Sequence, residues 1–386
     1  MSAQLGTMPD GDVTAPDEAS LFRPFQLGSM TLRNRLVMAP MTRCFSPGGI
    51  PGPNVAAYYG RRAAGGVGLI VTEGTAVPHR AACNDPNVPH FHGTEALAGW
   101  SRVVQEVHAA GGRIVPQLWH VGLQRRPAVD NLHEPFDNRA VAVSPSGMIS
   151  PTEQVADGMT ERDIEQVVEA FATAAANSER LGFDGAEIHG AHGYLVDQFF
   201  WAPTNRRTDS YGGDAARRGR FAADLVQACR RVVRKDFPVI LRISQFKQQD
   251  YSAKMASTPE ELEQLLAPAV AAGVDAFHCS QRRFWEPEFP GSDLNLAGWV
   301  KKLFGRPTIT VGSVGLDGEF VSSLLAGASC RMTRIDRLLV MLERGDFDLV
   351  ALGRTLLMDP NWPAKIRRGA FDELSAYDTA VLKSLV

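Results

Sequence analysis

The strongest constraint on the fold is a repeated order of short apolar runs and amphipathic helical stretches, which begins at Arg35 and continues almost to the end of the chain. The runs are continuously apolar rather than alternating, as is typical of parallel strands that are covered on both faces. Eight such runs are present, at Leu36–Pro40, Gly68–Thr72, Arg113–Leu118, Gly185–Ile188, Val239–Ile243, Ala276–Cys279, Thr308–Val311 and Leu349–Leu352.

Helical patterns separate these runs, and two of them carry clear start signals. Thr160 and Asp163 have the spacing of a capping box, and Thr258 followed by Pro259 combines a capping residue with proline in the first turn. The predicted helices span roughly 54–64, 95–110, 160–181, 214–234, a stretch opening at 258, 295–303, 318–325, 335–343 and 363–368.

Eight strands that are each followed by a helix predict a single closed (β/α)8 TIM barrel of the α/β class. A doubly wound open sheet is the alternative, but it requires a G-x-G-x-x-G turn directly after an early strand. No such turn is present, and the glycines at Gly65–Gly68 precede their strand, so they indicate a turn from helix to strand.

Length and charge limit the classes of function. The chain has 386 residues, of which 44% are hydrophobic and 22% charged, with a net charge of −3. Such a chain is long enough for one barrel and offers no basic surface for nucleic acid or anionic membrane. No apolar run approaches the roughly 18 residues of a membrane span. We predict a flexible N-terminal arm at 1–20, a barrel at 21–370 and a C-terminal tail at 371–386.

The N-terminal region and the cysteines together favour a cytoplasmic protein. Residues 1–20 lack both the basic start and the apolar core of a targeting segment. The five cysteines are an odd number, lie far apart and form no C-x-x-C pair, which argues against a zinc ribbon or a cysteine-held iron–sulfur cluster. We expect them to be reduced thiols.

The end of the fourth strand is unusually rich in hydrogen-bond donors. His189, His192 and Tyr194 follow one another within six residues. Because active sites of this fold lie at the C-terminal ends of the strands, these side chains are candidate binding and catalytic groups. The alternative is a polar turn in which the two histidines satisfy only backbone carbonyls.

Other strand ends suggest a bound flavin. Thr42, Gln117 and Arg242 offer a hydroxyl, an amide and a fixed positive charge, which suit the polar edge of the flavin ring. Gly312–Ser313 and Gly353–Arg354 follow strands seven and eight, where this fold commonly binds phosphate. The alternatives are ordinary glycine turns with a surface arginine, and a buried ion pair between Arg242 and Glu187.

Several stretches resemble the Old Yellow Enzyme family of FMN-dependent ene-reductases. The block at residues 189–213 is the most specific of them, and together the matches span positions 21–360. They read LFRPFQLGSMTLRNRLVMAPMTR, PQLWHVG, HGAHGYLVDQFFWAPTNRRTDSYGG, VILRIS and ALGRTLLMDP.

The resemblance implies a non-covalent FMN, NAD(P)H as the reductant and a role for each matching residue. The implied flavin-ring residues are Pro40, Met41, Thr42, Gln117 and Arg242, with Gly74 as a looser match. The implied phosphate residues are Gly312, Ser313, Gly353 and Arg354. For the substrate, the resemblance implies oxygen binding by His189 and His192, proton donation by Tyr194 and a pocket wall at Trp119.

The implied reaction is reduction of the activated C=C bond of an α,β-unsaturated carbonyl or nitro compound. An ordinary tyrosine has a pKa near ~10, so Tyr194 would hold its proton at neutral pH. Many relatives have Asn at the position of His192, so the match is not complete there. Longer relatives carry a cysteine cluster and further nucleotide domains, and we expect direct turnover without an iron–sulfur relay here.

Two other functions remain open from the sequence. One is a metal-dependent hydrolase with His120, His189, His192 and His278 as ligands, although the first strand lacks the His-x-His pair that such enzymes use. The other is a flavin-binding protein without activity. The expected partners are small molecules, and the chain is expected to be a monomer or a homodimer. The loops Gln245–Met255 and Gln281–Glu286 have no assigned role.

Overall fold

The computed structural model describes residues 18–124, 142–318 and 330–386, and it confirms the predicted (β/α)8 barrel. Eight parallel strands close on themselves in chain order, because the last strand pairs with both its predecessor and the first. A two-stranded antiparallel hairpin, β1 (Phe25–Leu27) and β2 (Met30–Leu32), precedes the barrel. The barrel strands are β3 (Leu36–Met38), β4 (Leu69–Ala76), β5 (Arg113–Trp119), β6 (Ala186–His192), β7 (Val239–Lys247), β8 (Ala276–Ser280), β9 (Thr308–Val311) and β10 (Leu349–Leu352).

Helices follow the strands on the outside of the barrel. Their bounds are α1 (Pro53–Ala64), α2 (Thr94–Ala109), α3 (Glu161–Arg180), α4 (Leu195–Phe200), α5 (Ala215–Val232), α6 (Pro259–Ala271), α7 (Leu296–Phe304), α8 (Asp336–Arg344), α9 (Arg354–Met358) and α10 (Trp362–Arg367). The short helices α4 and α9 were not predicted, and the helix predicted over 318–325 lies almost wholly outside the described residues. Within the described part of the chain, no helix has both the length and the apolar character needed to cross a bilayer.

The predicted start signals are present at the helix ends. Thr160 and Asp163 form a reciprocal capping box, in which the threonine hydroxyl accepts from the backbone of Asp163 at 3.2 Å. The Thr258 hydroxyl accepts from the backbone of Glu261 in the same way at α6. The glycine-rich stretch between α1 and β4 is a turn from helix to strand, as predicted. Local capping chemistry therefore fixes where these helices begin.

The N-terminal hairpin closes the lower end of the barrel, which the sequence analysis did not anticipate. Leu27, Met30 and Leu32 are buried, and they form one apolar cluster with side chains from the barrel strands. The strand residues in that cluster are Val37, Ala39, Leu69, Val71, Val115, Ile240, Ala276, Ile309, Leu349 and Ala351. A second, larger apolar cluster lies between the strands and the helices. The barrel interior is thus a packed core at its lower end, and only its upper end is available for a site.

The five cysteines are free thiols, in agreement with the prediction. Cys44 is partly buried and the other four are buried. Burial raises the pKa of the Cys44 and Cys229 thiols to about 12, so both hold their proton at neutral pH. These side chains act as small apolar groups in the packing.

Leu32→Ala tests the contribution of the hairpin. Leu32 is fully buried in the lower cluster, so its truncation should lower the free energy of unfolding by about 2–5 kcal/mol in a urea titration. Thr31→Ala, an exposed position on the same strand, should change it by less than about 1 kcal/mol. Equal effects of the two substitutions would show that the hairpin does not stabilise the barrel.

Candidate active site

A cavity of about 480 Å³ opens at the C-terminal ends of the barrel strands. It brings together most of the residues that the sequence analysis selected. The predicted residues that line it are Pro40, Met41, Thr42, Gln117, His189, His192, Tyr194, Arg242, Gly312, Ser313, Gly353 and Arg354. A larger but open surface cavity beside Thr208, Arg217 and Pro268 contains none of them.

Two predicted residues, Gly74 and Trp119, are not among those that line the cavity. Gly74 pairs with Gln117 across two neighbouring strands, and a Cβ at this glycine would lie 2.8 Å from the Trp119 ring. The Trp119 ring in turn meets the Tyr194 ring edge-on, with 5.0 Å between the ring centroids. The absence of a side chain at Gly74 therefore leaves space for the Trp119 indole, which packs against the Tyr194 ring.

A buried carboxylate joins three barrel strands directly beneath the cavity. Glu187 is fully buried, and its two oxygens accept hydrogen bonds from Gln117 Nε2 and His278 Nδ1, each at 2.7 Å. Burial alone would raise the pKa of Glu187, but His278, Arg242 and Gln117 together lower it below the ordinary value. An ionised Glu187 thus fixes the orientation of the Gln117 amide.

Arg242 supplies a fixed positive charge at the same level. It pairs with His189 in the parallel register of β6 and β7, and it lines the cavity. Burial lowers the pKa of Arg242 to about 10, so the guanidinium stays charged at neutral pH. Its Nε has no hydrogen-bond partner among the described residues. The hydrogen bonds of Glu187 go to His278 and Gln117 and not to Arg242. The alternative of a buried pair is supported only by charge attraction, in which Arg242 lowers the pKa of Glu187 and Glu187 raises that of Arg242.

The backbone at the end of β6 turns His192 into the cavity. Residues 187 and 189 face the barrel interior, so regular alternation along the strand would turn residue 192 outward. The pairing of β6 with β7 shifts register between Gly190 and His192, and His192 has a positive φ of 65°. This bulge allows both histidines to face the cavity, where their ring centroids lie 5.3 Å apart.

Both histidines are neutral at physiological pH. Burial, followed by the charge of Arg242, holds the pKa of His189 and of His192 well below the ordinary histidine value. His189 Nδ1 accepts from the backbone of Ala191 at 3.3 Å, which leaves the ring proton on Nε2. His192 Nε2 bonds to the Ser280 hydroxyl at 2.9 Å, so Nδ1 is the atom left to face a ligand.

The loops after the last two strands form the opposite end of the cavity. Gly312 has a φ of 152°, and a Cβ there would lie 2.6 Å from the carbonyl oxygen of Gln281. The Arg354 guanidinium donates to the carbonyl of Gly318 at 2.7 Å and approaches the Ser313 hydroxyl at 3.4 Å. Close backbone approach and a fixed guanidinium together form a cradle that suits a phosphate.

Comparison with known proteins decides the family. Residues 20–373 match the NADH:flavin oxidoreductase / NADH oxidase family. The chain belongs to this family. The predicted membership of the Old Yellow Enzyme group is confirmed, and so is the assignment of FMN as cofactor with NAD(P)H as reductant.

Individual relatives cover nearly all of this flavin oxidoreductase. It is 33% identical over 381 residues to 12-oxophytodienoate reductase 7 of Oryza sativa subsp. japonica, a match over 94% of this chain and 91% of that protein. It is 32% identical over 364 residues to NADH oxidase of Thermoanaerobacter brockii, but it spans only about half (52%) of that longer protein. The structure of morphinone reductase in complex with tetrahydroNAD superposes with a TM-score of 0.77 at 28% identity, over 94% of each chain.

The described residues fit FMN better than a metal ion. Arg242 presents an unpartnered Nε beside the cavity, and the Arg354 cradle lies at the opposite end. Within residues 18–124, 142–318 and 330–386, no group of three His, Cys, Asp or Glu side chains could hold a metal. All four histidines proposed as metal ligands have hydrogen-bond partners. His120 bonds to His79 at 2.8 Å and His278 to Glu187, beside the contacts of His189 and His192 given above.

The C-terminal segment forms one wall of the flavin oxidoreductase cavity, which the sequence did not reveal. Tyr377 and Leu382 line the cavity, and both belong to the predicted tail. Arg43, at the end of the first barrel strand, donates to the backbone carbonyls of Val381, Leu382 and Ser384 at 2.8–3.3 Å. The only sequence signal for this contact is the arginine that follows Thr42, because backbone carbonyl acceptors cannot be recognised from the sequence.

A second buried carboxylate holds the loop that carries Met41 and Thr42. Glu73 Oε2 accepts from the backbone N–H groups of Arg43 and Cys44 at 2.9 and 3.2 Å. Burial raises the pKa of Glu73 from 4.5 to about 7, although these two donors oppose the shift. Ionisation of Glu73 is therefore easier in the unfolded chain than in the folded one.

This difference predicts a pH-dependent stability. Because the folded-state pKa of Glu73 is raised, the protonated group stabilises the fold below about pH 4.5, and this contribution is lost as the pH rises through about 7. Glu73→Gln keeps an acceptor without the charge. Relative to the parent, the free energy of unfolding of this variant should increase by up to about 3 kcal/mol as the pH rises from about 4.5 to about 7. Thermal unfolding at several pH values measures this.

The matched control is Glu165→Gln on the exposed face of α3, which should change the free energy of unfolding by less than about 1 kcal/mol. A Glu73→Gln variant whose stability runs parallel to the parent at every pH would contradict the burial argument.

Proposed function

We propose that this flavin oxidoreductase reduces the activated C=C bond of α,β-unsaturated carbonyl or nitro compounds, with Tyr194 as the proton donor. The observation that carries the proposal is the convergence of three donors on one wall of the cavity. The His189 ring centroid lies 5.3 Å from that of His192 and 5.1 Å from that of Tyr194. Two relatives are named as reductases, of 12-oxophytodienoate and of morphinone, which agrees with this class of substrate.

The cofactor would occupy the floor of the cavity from one end to the other. The residues proposed to hold its ring are Pro40, Met41, Thr42, Gln117 and Arg242, with Gly74 supporting them indirectly through Trp119. The residues proposed to hold its phosphate are Gly312, Ser313, Gly353 and Arg354. When bound, FMN takes a hydride from NAD(P)H and passes it to the alkene.

The two histidines would bind the oxygen of the substrate. Each is neutral, so each offers one N–H to an acceptor, at Nε2 of His189 and at Nδ1 of His192. Negative charge grows on the substrate oxygen as the distant alkene carbon is reduced, and preorganised N–H donors stabilise that charge. The hydrogen bond from the backbone N–H of Ala191 fixes Nε2 as the donor of His189. Nδ1 of His192 is a donor when its Nε2 accepts from the Ser280 hydroxyl.

Tyr194 would complete the reaction by giving its proton to the other alkene carbon. Its ring is held between Trp119 and His189 in two edge-to-face contacts, so the hydroxyl has a defined position over the cavity. A phenol is protonated at neutral pH and can act as a general acid. We further propose that the enzyme acts in the cytoplasm, as a monomer or a homodimer.

Tyr194→Phe tests the proton donor. It should leave reduction of the flavin by NAD(P)H unchanged while slowing reduction of 2-cyclohexenone by roughly 10²–10⁴-fold, because only the second step needs the proton. Stopped-flow measurement of the two half-reactions separates these effects. Tyr211→Phe, at a tyrosine whose hydroxyl bonds to Asp224 outside the cavity, is the matched control. Equal slowing of both half-reactions would refute the role of Tyr194.

Arg354→Met tests the phosphate end. Loss of hydrogen bonds to a charged group should weaken FMN binding by roughly tenfold to a hundredfold, as measured by fluorescence titration of the apoprotein. Riboflavin, which lacks the phosphate, should bind parent and variant alike. Arg217→Met on the exposed face of α5 should not change the Kd. An unchanged Kd for FMN in Arg354→Met would place the phosphate elsewhere.

A further inference from the structure

The loop after the fifth barrel strand, which had no assigned role, reaches the hydroxyl of Tyr194. β7 continues to Lys247, beyond the end predicted at Ile243, and the next residue is Gln248. Gln248 Nε2 donates a hydrogen bond to Tyr194 Oη at 3.0 Å. Gln248 also lines the cavity, so this contact lies where substrate would bind.

The backbone beside Gln248 is fixed by a buried ion pair. Lys247 Nζ lies 2.7 Å from Asp197 Oδ1, and both side chains are 0% exposed. Burial raises the pKa of Asp197 and lowers that of Lys247, while their mutual attraction opposes both shifts. A buried pair of this kind is costly to break, because either partner alone would leave an uncompensated charge. The backbone N–H of Gln248 also donates to the carbonyl of His192 at 3.3 Å.

The same carboxylate holds the turn that carries Tyr194. Asp197 Oδ2 accepts from the backbone N–H of Gly193 at 2.6 Å, one residue before the tyrosine. Tyr194 directly follows Gly193, and Gln248 directly follows Lys247. Both preceding residues bind the buried carboxylate of Asp197. Their relative position is set before any substrate arrives, which is the arrangement that favours stabilisation of a developing charge.

We propose that Gln248 is a positioning residue for proton transfer, which orients the Tyr194 hydroxyl and stabilises the negative charge left on its oxygen. In the transfer, the O–H bond of Tyr194 breaks and a C–H bond forms at the substrate carbon. The bonding electron pair stays on the phenol oxygen, which Gln248 N–H contacts, and solvent later returns the proton. The role of Gln248 rests on the proposed function of Tyr194.

The donor direction matters for this role. An N–H donor contacts the phenol oxygen and does not compete for its proton, and it interacts more strongly with the phenolate than with the phenol. An acceptor in the same place would instead compete for the proton. Removal of the donor should therefore slow the alkene step and make the phenol harder to ionise.

Gln248→Met removes the donor while keeping a side chain of similar length. In the holoenzyme, reoxidation of the reduced flavin by 2-cyclohexenone should slow by roughly tenfold, and the alkaline limb of its pH profile should move to higher pH. Reduction by NAD(P)H should not change. In a Tyr194→Phe background the same substitution should have no further effect, as a double-mutant cycle requires of residues that act through one another.

Each outcome distinguishes the two proposals. A Gln248→Met variant that matches the parent in rate and pH profile, beside a slow Tyr194→Phe variant, overturns the role of Gln248 alone. So does equal slowing by Gln248→Met in the parent and in the Tyr194→Phe background, because Gln248 would then act independently of the phenol. A Tyr194→Phe variant as fast as the parent overturns both proposals. Gln227→Met, on the exposed face of α5, should behave as the parent in all assays.

Discussion

The ionised carboxylate of Glu187 is the interaction on which the upper half of the barrel depends. It lies fully buried on β6, and it accepts hydrogen bonds from Gln117 on β5 and from His278 on β8. An isolated charge at this depth would be strongly unfavourable, so these donors and the nearby Arg242 must keep their places. Because these groups must stay in place, the upper part of the barrel interior is polar and presents fixed hydrogen-bond donors. A flavin ring can bind against this polar surface.

Two further buried carboxylates organise the walls of the same cavity. Glu73 binds the backbone of the loop that follows β3, and Asp197 binds both Lys247 and the turn before Tyr194. Each carboxylate joins segments that are distant in the chain, and each replaces lost hydration with backbone or side-chain donors. These hydrogen bonds hold the segments in place, because a large displacement would leave buried polar groups without partners.

The sequence predicted the barrel well because its signals are local. Continuous apolar runs, helical periodicity and capping residues such as Thr160 act within a few residues, and all eight strands were located. The hairpin at Phe25–Leu32 was missed because three-residue strands show no periodicity. The extension of β7 to Lys247 was missed because its polar residues resemble a loop, and they find their partner on a different element.

The same difference between local signals and tertiary contacts applies to the candidate site. The residues predicted at the strand ends, except Gly74 and Trp119, line one cavity, because parallel strands of a barrel bring those ends together. The cavity wall at Tyr377 and the hydrogen bond from Gln248 depend on tertiary packing, which no local pattern encodes.

We propose above all that this cavity holds FMN and presents an electron-poor alkene to it. Anaerobic absorbance spectroscopy of the purified, FMN-saturated protein, separated from free flavin, tests it most directly. We expect the visible flavin band to remain with the protein, to bleach on addition of NAD(P)H and to return on addition of 2-cyclohexenone. Loss of the flavin during separation, or a bleached band that the enone does not restore, would contradict the account.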